Sequence, residues 1–137
     1  MRALLAVVIV TSLVASGQAQ APSASAPADE TATQFYLRYR AMIPTASDVD
    51  QVLVLLSSDI AQEFKAAPPA ERVGLDDIKR MYGTFTAVKV VKEEATPNSA
   101  TLSLEGFWTA ENRQATGTVQ VVKERGAWKA AGLERWK

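Results

Sequence analysis

The period of the hydrophobic pattern changes at Phe85, and this change constrains the fold more than any other feature of the chain. Before Phe85, apolar residues recur every three or four positions, which is the spacing of one face of a helix. After Phe85, apolar and polar residues alternate, most clearly in residues 100–109, as in a strand with one buried face. Helices followed by consecutive strands indicate an α+β domain, with helices covering one face of an antiparallel sheet.

Three helices are predicted in the first half of the chain. Pro44 ends the first, Ser47 is placed to cap the second, and Gly83 stops the third. The second helix has an apolar stripe but can break at Ser57-Ser58. The predicted helices cover residues 30–43, 48–65 and 71–82.

Four strands are predicted in the second half. Each is rich in β-branched or alternating apolar residues, and the joints carry turn residues such as Pro97, Asn98 and Gly126. Joints this short imply an antiparallel meander. The predicted strands cover residues 87–93, 100–109, 115–123 and 128–136, and Trp136 is expected to be mostly buried in the last one.

The first residues have the layout of a secretory signal peptide. Met1-Arg2 is followed by an apolar run over residues 3–15 and by small residues up to position 21. We expect a signal peptide over residues 1–19, although cleavage after Ala21 is the alternative, and hence a periplasmic or secreted protein. Residues 20–28 are predicted to form a disordered Ala/Pro/Ser tether, which leaves residues 29–137 as one domain.

Composition argues against several classes of function. Without Arg2 the chain carries 14 Lys and Arg against 15 Asp and Glu, a net charge of 14 − 15 = −1, so no nucleic-acid partner is expected. The apolar run is too short to span a membrane. The chain has no histidine and no cysteine, which removes the usual general base, catalytic triads and most zinc sites. We expect no metal and no cofactor.

The C-terminal hairpin carries a resemblance to a known family. Residues 119–129 read VQVVKERGAWK, and the chain closes on Glu134-Arg135-Trp136-Lys137. Together with the order of the predicted elements, this resembles the nuclear transport factor 2-like (cystatin-like cone) superfamily, particularly its small exported bacterial members of unknown function. The resemblance implies three helices packed on a strongly bent four-stranded antiparallel sheet. The mouth of such a cone hosts a small apolar ligand, an active site or the side chains of a partner.

The residues expected at the cone and on the sheet define the candidate sites. If the cone holds a pocket, Tyr36, Tyr39, Met81 and Trp108 are predicted to line it. Phe107 and Glu105 lie on the other face of their strand and are candidates for a partner surface.

Three functions fit these residues. The first is an exported, non-catalytic binding or interaction module whose ligand or protein partner is unknown, with a small apolar ligand as one option. The second is a small isomerase or hydratase that uses a buried carboxylate and a tyrosine donor. Its candidate carboxylates are Asp76, Asp77, Glu105 and Glu134. The third is a homodimer formed through the exposed face of the sheet.

Overall fold

The computed structural model describes residues 29–137, so the signal peptide and the tether lie outside the described residues. The order of elements is helical first and strand second, and the α+β class with an antiparallel sheet is confirmed. The helices are α1 (Ala32–Met42), α2 (Val49–Leu53), α3 (Ser58–Ala66) and α4 (Leu75–Gly83), with 3-10 turns at Ile43–Thr45 and Pro69–Glu71. The strands are β1 (Phe85–Ala95), β2 (Ser99–Trp108), β3 (Arg113–Glu124), β4 (Ala127–Ala130) and β5 (Arg135–Trp136).

The predicted second helix is two helices, so the described chain has four α-helices and not three. The break has a backbone cause. The Ala130 N–H donates to the carbonyl of Leu55 and the Ser57 N–H donates to the carbonyl of Ala130, both at 2.8 Å. These bonds draw residues 55–57 against β4 and end the helical ladder there. Asp48, not Ser47, caps α2, because its side chain accepts the Asp50 N–H at 2.8 Å.

The sheet has the order β1-β2-β3-β4, with β5 also paired to β3, and every pairing is antiparallel. In β2 the residues Ala100, Leu102 and Leu104 face the helices and are buried, as the alternation predicted. Helix α1 lies against this face through Phe35 and Tyr36, which are fully buried. The core therefore sits between α1 and the inner face of β2 and β3.

The predicted last strand is interrupted. Val121 pairs with Ala130, and Gly117 pairs with Trp136. The two pairs are four positions apart in β3 but six positions apart in the last segment, so that segment contains two extra residues. Ala131 still donates its N–H to the carbonyl of Gln120 in β3 at 2.9 Å; residues 132–134 then leave the sheet and place Leu133 and Glu134 toward the helices. Trp136 is partly buried and packs against the core rather than lying fully inside it.

The helices of residues 29–137 include none long and apolar enough to cross a membrane.

Candidate functional site

An apolar groove lies between the helices and the interruption in the last strand. It encloses about 180 Å³ and its walls carry almost no polar surface. None of its wall residues is Asp, Glu, Lys or Arg. The groove is lined by Tyr39, Val52, Leu53, Leu56, Ile60, Phe64, Val73, Ile78, Met81, Tyr82, Gly132 and Leu133.

The groove exists because α3 is not fully packed on the core. Helix α3 is amphipathic, and its apolar residues Ile60 and Phe64 are only partly buried. The rim of the groove exposes further apolar side chains: Val73 is 47% exposed, Met81 41% and Leu133 63%. An apolar hollow with an apolar rim is the usual form of a site for a small apolar molecule.

Two tyrosines form the wall nearest to the core. The rings of Tyr39 and Tyr82 meet edge to face at 5.7 Å, and their hydroxyl groups form a hydrogen bond of 3.0 Å. Burial raises the pKa of Tyr39 to about 12, and it also raises the pKa of Tyr82, with a further contribution from Tyr39. Both hydroxyl groups therefore stay neutral near pH 7.

Two of the four predicted pocket residues line the groove. Tyr39 and Met81 belong to its wall. Tyr36 does not, because its ring is fully buried and its hydroxyl donates to Glu134. Trp108 also lies elsewhere, beside Phe85 at 5.4 Å between ring centroids and under the guanidinium of Arg113 at 4.7 Å.

A buried ion pair ties the last residues of the chain to α1. Arg40 donates from Nε to Oε1 of Glu134 at 2.6 Å and from Nη2 to Oε2 at 3.1 Å. The Glu134 side chain is 7% exposed and that of Arg40 is 14% exposed. Tyr36 donates to Oε1, and the Trp136 indole donates to Oε2 at 2.8 Å. Each carboxylate oxygen thus accepts two hydrogen bonds.

This ion pair bears on the enzymatic alternative. Glu134 and Tyr36 are a buried carboxylate and a tyrosine within hydrogen-bond distance, which that alternative requires. A hollow of about 110 Å³, adjoining the groove at Met81, Tyr82 and Leu133, reaches Glu134. The carboxylate nevertheless accepts four hydrogen bonds, two of them from the guanidinium of Arg40, and is held as the counter-ion of Arg40. A general base needs an oxygen that is free to accept a proton from the substrate.

The other candidate carboxylates do not approach a tyrosine in this way. Asp76 and Asp77 are exposed in the first turn of α4, and Asp77 pairs with Arg80 at 3.0 Å. Glu105 lies on the outer face of β2 and pairs with Lys89 at 3.2 Å. No group of three metal-ligating side chains occurs in the part of the chain that the structure describes.

The proposed partner surface is the outer face of β2 and β3. Phe107 and Glu105 are both half-buried there, opposite Gln114 and Thr116. Along these two described strands, nine of the eleven outward residues are polar, and Phe107 and Val122 are the exceptions. The eleven residues are Ser99, Thr101, Ser103, Glu105, Phe107, Gln114, Thr116, Thr118, Gln120, Val122 and Glu124.

Comparison with protein-family models, curated proteins and solved structures finds no match to this chain. The resemblance to the nuclear transport factor 2-like superfamily therefore stays a prediction.

Alkaline titration of the tyrosines tests whether they are packed as described. The chain has three, all of them buried, and burial raises the pKa of each. In an unfolded chain tyrosine has a pKa of about 10. Because the folded values are higher, the stabilisation is complete below about pH 10 and is lost as the pH rises through the folded values. The free energy of unfolding should then fall by up to about 4 kcal/mol per pH unit for three groups.

We expect tyrosinate absorbance to appear in one step together with alkaline unfolding, followed in parallel by tryptophan fluorescence. The same chain in urea should titrate near pH 10, which is the control. Gradual titration of one or more tyrosines near pH 10 while the fluorescence stays native would contradict the burial described here.

Proposed function

We propose that this chain is an exported, non-catalytic binding module of the cone type, and that it binds a small apolar ligand in the groove between α2, α3, α4 and residues 132–133. The observation that carries the proposal is the groove itself, an apolar volume of about 180 Å³ with an exposed apolar rim. Export rests on the predicted signal peptide, and the cone rests on the order of elements and the C-terminal hairpin.

The size of the groove favours a small molecule over a protein segment. A cavity of about 150 Å³ lined by aliphatic and aromatic side chains is sufficient to bind benzene. A docked helix of a protein partner needs a long open groove with several anchor pockets. The outer face of the sheet is mostly polar, whereas homodimer interfaces are more apolar than the rest of a surface. We therefore favour the groove over the sheet as the functional site.

A pair of matched variants tests this proposal. Met81 and Leu37 are both on exposed helix surfaces, with 41% and 42% exposure, but only Met81 lines the groove. The parent should enhance the fluorescence of the neutral probe N-phenyl-1-naphthylamine. Met81→Glu should weaken probe binding at least about tenfold, because a charge would then sit against the apolar ligand. Leu37→Glu should leave binding unchanged, and both variants should fold.

Two results would count against the proposal. One is a folded parent that fails to bind the probe at all. The other is an equal effect of both variants, which would place the probe outside the groove. The enzymatic alternative would be supported if the parent turned over a small carbonyl or hydroxy substrate and a folded Glu134→Gln variant did not.

A further inference from the structure

The apolar groove adjoins a second, wider hollow of a different character. This hollow has a volume of about 480 Å³ and shares three wall residues with the groove, namely Leu53, Phe64 and Val73. Five of its nine other wall residues are polar or charged, namely Ser47, Asp48, Asp50, Lys65 and Arg72. A ligand that fills the groove and extends past Phe64 and Val73 would thus meet charged side chains.

The two positive charges of this hollow have no counter-ion among the described residues. Arg72 is held in place by the carbonyls of Ala67 at 2.9 Å and Lys65 at 2.7 Å. Within residues 29–137 neither Arg72 nor Lys65 lies within 4.0 Å of a carboxylate. The Arg72 Nη1 makes no hydrogen bond to the described residues. The guanidinium is therefore oriented and can still donate to an anion.

The two negative charges of the same hollow lie at the start of α2, and that of Asp48 has a structural role there. Asp48 accepts the Asp50 N–H and caps α2, and both carboxylates lie at the N-terminal end of that helix. Carboxylates are stabilised at that position by the helix dipole. A cationic ligand would have to compete with the helix N-terminus for the Asp48 carboxylate, whereas an anionic ligand would add to the interactions of Arg72.

The opposite end of the groove gives no place for a charged group. Met81, Tyr82 and Leu133 separate it from the small hollow that reaches Glu134. Glu134 already accepts hydrogen bonds from Arg40, Tyr36 and Trp136. A charged group on the ligand is thus directed toward Arg72.

We propose that the ligand is a straight-chain carboxylate of about eight carbons, with its tail in the groove and its carboxylate beside Arg72 and Lys65. The proposal rests on the proposed function and names its ligand class. If a methylene occupies ~30 Å³, the volume of a water molecule in the liquid, the groove of about 180 Å³ holds about six carbons. One or two further carbons bring the carboxylate past Phe64 and Val73.

A competition experiment tests the proposal. Octanoate, octanol and octylammonium are each used to displace bound N-phenyl-1-naphthylamine, near neutral pH and at low salt. For the parent we expect octanoate to compete about fivefold to tenfold better than octylammonium, with the difference shrinking at high salt. From butanoate to octanoate, affinity should rise by up to about fourfold per methylene and then level off.

Variants locate the carboxylate. Arg72→Gln should weaken octanoate about fivefold and leave octanol unchanged, and Lys65→Gln should act in the same direction by a smaller factor. Arg80→Gln is the matched control, because Arg80 is exposed on α4 and lines neither hollow. If Arg72→Gln does not fold, because it loses two bonds to backbone carbonyls, Lys65→Gln alone decides.

The outcomes separate the two proposals. If the probe binds but octanoate and octylammonium compete equally, or octylammonium competes better, the carboxylate assignment is overturned and the apolar groove stands. Equal loss of octanoate and octanol in Lys65→Gln would also overturn it. If the probe does not bind to the folded parent, the proposed function fails and the ligand class fails with it.

Discussion

Replacing Arg40 by methionine is expected to lower the free energy of unfolding by about 3 to 5 kcal/mol, which is the usual cost of removing one partner of a buried ion pair. The variant leaves the Glu134 carboxylate buried beside Tyr36 without its guanidinium. It also removes the bonds that Arg40 donates to the carbonyls of Tyr82 at 3.2 Å and Phe85 at 3.3 Å. Burial alone would lower the pKa of Arg40, but Glu134 more than offsets this and the pKa is raised.

Urea denaturation followed by tryptophan fluorescence measures this loss. The control is Lys89→Met, which breaks the exposed pair with Glu105 and should cost less than about 1 kcal/mol. The double variant Arg40→Met/Glu134→Leu should recover part of the loss, since a buried pair can be replaced by apolar side chains. A loss below about 1 kcal/mol in the single variant would mean that Glu134 is hydrated and that the ion pair does not hold the last residues to α1.

Local patterns predicted the element types well, because the spacing of apolar residues that distinguishes a helix from a strand is visible among neighbouring residues. The alternation in β2 placed Leu102 and Leu104 on the inner face correctly. The sequence indicated one possible break, at Ser57-Ser58, but the causes of the breaks were harder to predict. Helix α2 ends where the backbone of Leu55 and Ser57 bonds to Ala130, a residue more than seventy positions away. The interruption before β5 likewise depends on the ion pair between Glu134 and Arg40. These residues are far apart in the sequence, so local propensity does not predict their contact.

The site was predicted in part for the same reason. The positions of Tyr39 and Met81 could be predicted from the apolar faces of their helices, and both residues line the groove. Tyr36 lies on the same face of α1 as Tyr39, but its hydroxyl turns to Glu134, so spacing alone could not separate the two. The partners Arg40 and Glu134 were missed as a pair. One signal was present: Arg40 stands on the inward side of α1, four residues after Tyr36, where an unpaired charge would be costly.

The aromatic packing of Trp136 leads to the second large effect that we expect. Its ring stacks on Phe85 at 4.3 Å with an interplanar angle of 7°. The ring also lies directly over Gly106 and Gly117, where an added Cβ would come within 2.9 Å and 2.8 Å of it. These two glycines leave the space that the indole fills, so removing the ring opens a cavity. Trp136→Ala should lower the free energy of unfolding by about 3 kcal/mol, at the lower end for tryptophan because the ring is partly exposed.

Phe107→Ala is the matched control, since Phe107 is a half-buried aromatic of the same sheet on the face away from the helices. It should cost less than about 1.5 kcal/mol in the same urea experiment. Trp136→Phe separates the two roles of the indole, because it keeps an aromatic ring over the glycines but removes the donor to Glu134. If Trp136→Ala were no worse than Phe107→Ala, β5 would not be part of the core. In that case Leu133, which lies in the same segment as Trp136, would not be held in the wall of the groove, and the binding site proposed there would lose its support.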